Sequence, residues 1–74
     1  MNLSELAVGK TCKIDKVKAR GLLLEHFIAL GFFNGNDISV VRKGKKDKIG
    51  VYEVSKTLIA LRKDESSLIE VIDP

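Results

Sequence analysis

The stretch from Leu22 to Gly35 constrains the fold of this chain most strongly, because it is the segment with a clear helical period. Its apolar residues recur at helical intervals and form a wide apolar face made of Leu23, Leu24, Phe27, Ile28 and Leu30. Glu25, His26 and Ala29 are left for the outer side of the helix or its edge. We therefore predict a helix that packs its apolar face against a small sheet.

Gly31 predicts where this helix ends. Glycine adopts positive φ readily, so Gly31 can end the helix in the left-handed conformation, and Phe32 can then fold back onto the last turn. Residues 34–37, Asn-Gly-Asn-Asp, predict a tight turn after it.

Five short segments have the pattern of β-strands, at residues 11–18, 37–43, 49–54, 57–62 and 68–72. In the first, Cys12 and Ile14 alternate with polar residues, and Val17 breaks the alternation, which predicts a bulge or the end of the strand. Together with one helix inserted after the first strand, they predict a mainly β fold. We expect a small five-stranded β-barrel, closed or partly closed, with the helix plugging one opening.

The length of 74 residues predicts a single domain over residues 1–74, near the lower limit for a chain that folds on its own core. No apolar run approaches the ~20 residues that a membrane span needs. The start, Met-Asn-Leu-Ser-Glu-Leu, lacks the basic and apolar regions of a secretory signal. A soluble cytoplasmic protein is the expectation.

The residues that common catalytic and metal sites require are scarce in this sequence. The chain has one His and one Cys, His26 and Cys12, whereas a structural zinc site needs about four ligands. It has no glycine-rich phosphate loop. Each serine has a turn, cap or strand-surface explanation, and no His and third group accompany one as a nucleophile requires. We predict that the chain is not an enzyme and has no metal site and no cofactor.

The net charge of +3 is unevenly distributed. Residues 42–48 carry five basic groups and one acid, a local charge of +4, and the remaining eight basic and nine acidic residues sum to −1. The basic residues of this loop are Arg42, Lys43, Lys45, Lys46 and Lys48.

Several segments, taken in order, are similar to the FeoA family of bacterial ferrous iron uptake. The segment Leu30-Gly-Phe-Phe-Asn-Gly35 followed by Ile38-Ser-Val-Val41 resembles the family's Leu-Gly turn and the strand after it. Ala60-Leu-Arg-Lys-Asp-Glu65 followed by Ile69-Glu-Val71 resembles its Ala-Leu-Arg segment with acidic residues. The opening Leu3-Ser-Glu-Leu6 with Gly9 is also similar to the family's start.

This resemblance implies an SH3-like β-barrel with an inserted helix. It also implies a non-catalytic adaptor or regulator that docks on the cytosolic GTP-binding region of the large, FeoB-type ferrous iron transporter. No small-molecule substrate is implied.

Three aromatic residues are candidates for contacting such a partner: Phe32, Phe33 and Tyr52. Because Phe32 and Phe33 are consecutive, they cannot both face the core in the same way. We expect Phe32 to cap the helix and Phe33 to fill the barrel mouth, the alternative being that one is exposed and anchors an interface. For Tyr52 we expect a half-packed ring with its hydroxyl in water, or an interface anchor.

The basic loop 42–48 leaves three interpretations open. It is a solvated hairpin tip, a phosphate-binding element of a nucleic-acid-binding barrel, or a contact for the anionic inner leaflet of the membrane or an acidic patch near the transporter. Nucleic-acid binding is the alternative function, although the sequence has few aromatic residues for base stacking.

Overall fold

A computed structural model describes residues 1–72 of the chain. The elements are a 3-10 turn Leu3–Glu5, β1 Thr11–Val17, α1 Gly21–Leu30, β2 Asp37–Lys43, a 3-10 turn Lys45–Asp47, β3 Ile49–Val54, β4 Thr57–Arg62, α2 Lys63–Ser66 and β5 Ile69–Ile72. The predicted order of five strands with one main helix after the first is confirmed.

The strands form one antiparallel sheet in the order β4-β3-β2-β1-β5. Register shifts bend it between Ile14 and Lys16 on β1, near the bulge predicted at Val17, and between Val40 and Arg42 on β2. Within residues 1–72, β4 and β5 each pair with one neighbouring strand, so the ladder is not closed. The predicted small five-stranded fold is present, with an open ladder instead of a closed one.

Alternation along the strands places one face of the sheet in the core, as predicted. The buried apolar residues are Leu3, Leu6, Cys12, Ile14, Phe27, Phe32, Ile38, Val40, Tyr52, Val54, Leu61, Ile69 and Val71. Leu3 and Leu6 come from the N-terminal turn, where the Asn2 side chain accepts a hydrogen bond from the backbone N–H of Ser4 at 3.0 Å. The turn is attached to β5, because the N–H of Val71 donates to the carbonyl of Met1 at 2.9 Å.

The packing predicted for α1 is wrong. We expected its apolar face to plug the barrel, but Phe27 is its only fully buried residue among those described. Leu22 is 83% exposed and Ile28 is 47% exposed, and Leu23 is exposed as well. The helix contacts the core near its C-terminal end, through Phe27 and Leu30, and Leu3 and Leu6 of the N-terminal turn add to the same core.

The C-terminal end of α1 is fixed as the sequence predicts. Gly31 has φ 109°, its N–H donates to the carbonyl of Ile28 at 3.0 Å, and the N–H of Phe32 donates to that of Phe27 at 2.9 Å. The rings of Phe27 and Phe32 then meet edge to face with centroids 5.8 Å apart. The Asn36 side chain donates to the Gly31 carbonyl at 2.7 Å and to Ser55 Oγ at 3.0 Å, which ties this corner to the β3–β4 turn.

Tyr52 needs a glycine two positions before it on β3. Its ring lies back over Gly50, so a Cβ added to Gly50 would come within 2.8 Å of Tyr52 Cε2 and nearer still to the hydroxyl. Because the ring is buried, it cannot move away into solvent.

We expect Gly50→Ala to lower the free energy of unfolding by about 2 kcal/mol, since an extra methyl group in a filled core forces neighbours out of place. Urea unfolding measures the change. Gly44→Ala is the matched control, because Gly44 has φ −81° and the nearest atom to its added Cβ is the Ile49 carbonyl oxygen at 3.4 Å. The control should stay within about 0.5 kcal/mol of the wild type. Equal effects of the two substitutions would contradict this account of Tyr52.

Candidate functional site

Four exposed apolar side chains lie on α1 and just after its C-terminal cap; we call Leu22, Leu23, Ile28 and Phe33 the helix surface. Apart from Glu25 and His26, every side chain on α1 is apolar. A helix that is apolar on nearly all sides is normally buried in a core or against a partner. The helix surface is therefore the first candidate for a protein contact.

The two consecutive phenylalanines differ in exposure: Phe32 is buried and Phe33 is exposed. Phe32 is buried against Phe27, so its predicted capping contact is confirmed. Phe33 was expected to fill the barrel mouth, and this is wrong, since its side chain is 44% exposed. The positive φ of Gly31 turns the chain so that Phe32 points inward and Phe33 outward. Phe33 thus remains a candidate for partner contact, whereas Phe32 is buried and packs against Phe27 of the helix.

Tyr52 is not accessible to a partner. Its side chain is 1% exposed, and its hydroxyl hydrogen-bonds with Ser66, a buried serine at the end of α2. The expected hydroxyl in water is therefore a wrong prediction. The cause is the missing side chain at Gly50, which lets the ring fold along the strand into the core. Burial raises the pKa of Tyr52, although the hydrogen bond with Ser66 acts in the opposite direction.

The basic loop lies at the far end of β2 and β3 from the helix cap. Arg42, Lys45, Lys46 and Lys48 are exposed, and Lys43 is half-buried with its Nζ donating to the Ser4 carbonyl at 3.0 Å. The basic side chains of the loop are thus in solvent, except that of Lys43, which contacts the N-terminal turn.

Two further basic residues, Arg62 and Lys63, lie next to this loop in the structure and were not predicted to do so. Arg62 pairs with Ile49 across β3 and β4, and the N–H of Lys63 donates to the Lys48 carbonyl at 2.9 Å. The sequence contained the signal, since two strands joined by the two-residue turn Ser55-Lys56 must pair Ile49 with Arg62. We call the combined set the basic end: Arg42, Lys43, Lys45, Lys46, Lys48, Arg62 and Lys63.

The residues considered for metal binding do not come together. Cys12 is buried on the inner face of β1, whereas His26 is exposed on α1. Over residues 1–72, no three side chains among His, Cys, Asp and Glu are grouped closely enough to hold a metal ion. In the same part of the chain, no helix has the length and apolar character needed to cross a membrane.

The buried hydroxyl of Tyr52, the chain's one tyrosine, gives a pH-dependent prediction. The unfolded tyrosine ionises near pH 10. Because the pKa of the folded tyrosine is raised, its hydroxyl stays neutral to a higher pH. Stability should therefore be constant below about pH 10 with respect to this group and fall as the pH rises above it, because the unfolded state then releases the proton more readily.

Urea unfolding of the wild type and Tyr52→Phe on both sides of this pH tests the prediction. The free energy of unfolding of the variant should fall less with rising pH than that of the wild type. The absorbance of tyrosinate in the folded wild type should rise only above the ordinary tyrosine pKa. Identical declines in both proteins would contradict it.

Known proteins are similar to this chain in both sequence and backbone geometry. The FeoA domain family matches residues 1–73. Iron(II) transport protein A from Clostridium thermocellum is 34% identical with a TM-score of 0.90, over 96% of this chain and 44% of that one. The FeoA protein from Chlorobium tepidum is 25% identical with a TM-score of 0.88, over 96% of this chain and 68% of that one. A search of curated proteins gives no match.

A third similar structure identifies the fold. FeoA from Stenotrophomonas maltophilia, in complex with zinc, is 28% identical with a TM-score of 0.85, over 97% of this chain and 89% of that one. It is described as a prokaryotic SH3 domain protein and a possible bacterial ferrous iron transport activating factor. The predicted SH3-like fold is thereby confirmed. The present chain spans less than half of the C. thermocellum protein, 44% of its length.

Proposed function

The chain belongs to the FeoA family, and we propose that it acts in bacterial ferrous iron uptake as a non-catalytic, cytoplasmic adaptor. Its partner in this proposal is the cytosolic GTP-binding region of the large iron transporter, and the helix surface makes the contact. The observation that carries the proposal is the exposure of an almost entirely apolar helix, which is unfavourable in water unless another surface covers it.

The make-up of the helix surface supports docking to a protein. Phe33 supplies an exposed aromatic ring, a residue type that is enriched in interface cores, and Leu22 and Ile28 supply exposed aliphatic area on the preceding helix. Glu25 and His26 are exposed on the same helix, so this surface also offers polar groups among the apolar ones.

The size of the domain also suits this arrangement. A standard protein interface covers about 800 Å² on each partner. The described chain has 4867 Å² of accessible surface, so docking would use roughly a sixth of it. An area of that size can include α1, its cap and Phe33.

The positions of the reactive side chains agree with an adaptor better than with an enzyme. The Cys12 thiol is buried and the His26 ring is exposed on another element, so they do not form a nucleophile and base. The buried Ser66 hydroxyl is engaged with Tyr52 and donates to the Lys63 carbonyl at 3.3 Å.

We expect Ile28→Ser and Phe33→Ser each to weaken binding to the isolated GTP-binding region of the transporter at least tenfold, because truncating a central apolar anchor costs about 2 kcal/mol. Isothermal titration calorimetry measures the affinity. Leu58→Ser is the matched control, since Leu58 is 63% exposed on β4, outside the helix surface. It should bind like the wild type.

Wild-type affinity in both helix-surface variants would contradict the docking site. If these variants instead abolished self-association seen by analytical ultracentrifugation, the helix surface would be an interface between copies of the chain, and the proposal would be wrong. Ferrous iron uptake in cells, at a constant transporter level, should fall with the helix-surface variants and not with Leu58→Ser.

A further inference from the structure

The basic end surrounds one exposed aliphatic side chain with cations. Of its seven basic residues, all except the half-buried Lys43 are exposed. Ile49 is 46% exposed, follows Lys48 in the chain and pairs with Arg62 on the neighbouring strand. With Lys63 and Asp64, these residues line an open groove of about 420 Å³.

The positive charge of the basic end is not neutralised locally. The ion pairs of residues 1–72 lie elsewhere, between the N-terminus and Glu70, Lys13 and Asp37, and Lys18 and Glu70. Residues 42–48 and 62–65, which contain the basic end, hold seven basic and three acidic residues, a charge of +4. The remaining six basic and seven acidic residues of the chain give −1.

The residue types at this end identify the kind of surface that it fits. Five of its seven basic residues are lysines, which are depleted in the cores of protein interfaces. Single-stranded nucleic acids stack their bases on aromatic rings, but Tyr52 is buried and Phe33 is at the helix cap. Long lysine stems around an exposed aliphatic group are instead typical of proteins that lie on a membrane, with the charged heads at the level of the lipid phosphates.

We propose that the basic end binds the surface of a membrane that contains anionic lipids. Its exposed lysines and arginines contact the lipid phosphates, and Ile49 enters the boundary between the headgroups and the acyl chains. This inference rests on the basic end alone and does not depend on the proposed function, which uses the helix surface.

The two surfaces lie at opposite ends of β3. Ile49 begins this strand at the basic end, and Val54 ends it at the turn that Asn36 ties to the cap of α1. Five residue steps of about 3.3 Å separate them by about 17 Å. A chain that rests on a membrane with its basic end therefore leaves the helix surface accessible to a protein.

Co-sedimentation of the purified chain with phosphatidylglycerol–phosphatidylcholine vesicles tests the proposal. The wild type should bind these vesicles at low salt, bind less as salt rises, and not bind vesicles of phosphatidylcholine alone. The double variants Lys45→Gln/Lys46→Gln and Arg62→Gln/Lys63→Gln should each bind about twenty-five-fold more weakly, since each basic residue near such a surface contributes about fivefold.

Lys16→Gln/Lys56→Gln is the matched control, because it removes the same charge from exposed positions near the other end of the sheet. It should keep more than half of the wild-type vesicle binding. Absence of wild-type binding at low salt, or equal losses in all three double variants, would overturn the proposal. So would a loss of oligonucleotide binding or of binding to an acidic protein in the basic-end variants without a loss of vesicle binding.

An inserted fluorophore tests the position of Ile49 directly, because the chain has no tryptophan. The emission of Ile49→Trp should shift to the blue on addition of anionic vesicles, and that of Leu58→Trp should not. Equal shifts, or no shift in Ile49→Trp under conditions where the chain co-sediments, would place the lipid contact elsewhere and overturn the role of Ile49.

Discussion

Phe27 and Phe32 meet edge to face across the Gly31 cap, and through this contact the end of α1 joins the core. It depends on the positive φ of Gly31, which brings the residue after the cap back onto the last turn. Asn36 fixes the same corner by binding the Gly31 carbonyl and Ser55. A helix of ten residues has little stability of its own in water. Its attachment at one end therefore decides both where it lies and which of its side chains stay exposed.

The N-terminal turn supplies part of the core. Leu3 and Leu6 complete the core from the side of β5 and α2, and an Asn2 cap holds them in place. Leu22 and Ile28 lie outside this core and stay exposed. The exposed apolar surface lies at the opposite end of β3 from the positive charge.

Local features of the sequence were sufficient to predict most of the fold. Alternation identified the strands, and the capping glycine identified the end of α1, since both depend on neighbours in the chain. The contacts of the helix were predicted wrongly, because periodicity shows which side chains are apolar and not which of them the rest of the chain covers. Tyr52 was misjudged for a related reason: Gly50 lets the ring lie inward, and only the structure shows that close approach.

The candidate surfaces were predicted in part. The loop 42–48 was evident from its charge, and Phe33 was among the candidates although its exposure was not expected. Arg62 and Lys63 join the loop only when the register of β3 and β4 is followed to the far end of the hairpin. Leu23 and Ile28 were assigned to the apolar face that packs against the sheet, so the exposed helix surface itself was not predicted.

Hydrogen–deuterium exchange of the α1 amides, without and with the GTP-binding region of the transporter, tests most directly whether α1 is held at one end and covered by a partner. For the chain alone, amides of α1 should exchange faster than those of β2 and β3, because most of the helix lies outside the core. Binding should slow the exchange in α1 and leave the sheet unchanged. Protection of α1 equal to that of the central strands in the chain alone, or exchange in α1 unaffected by the bound partner, would contradict the account.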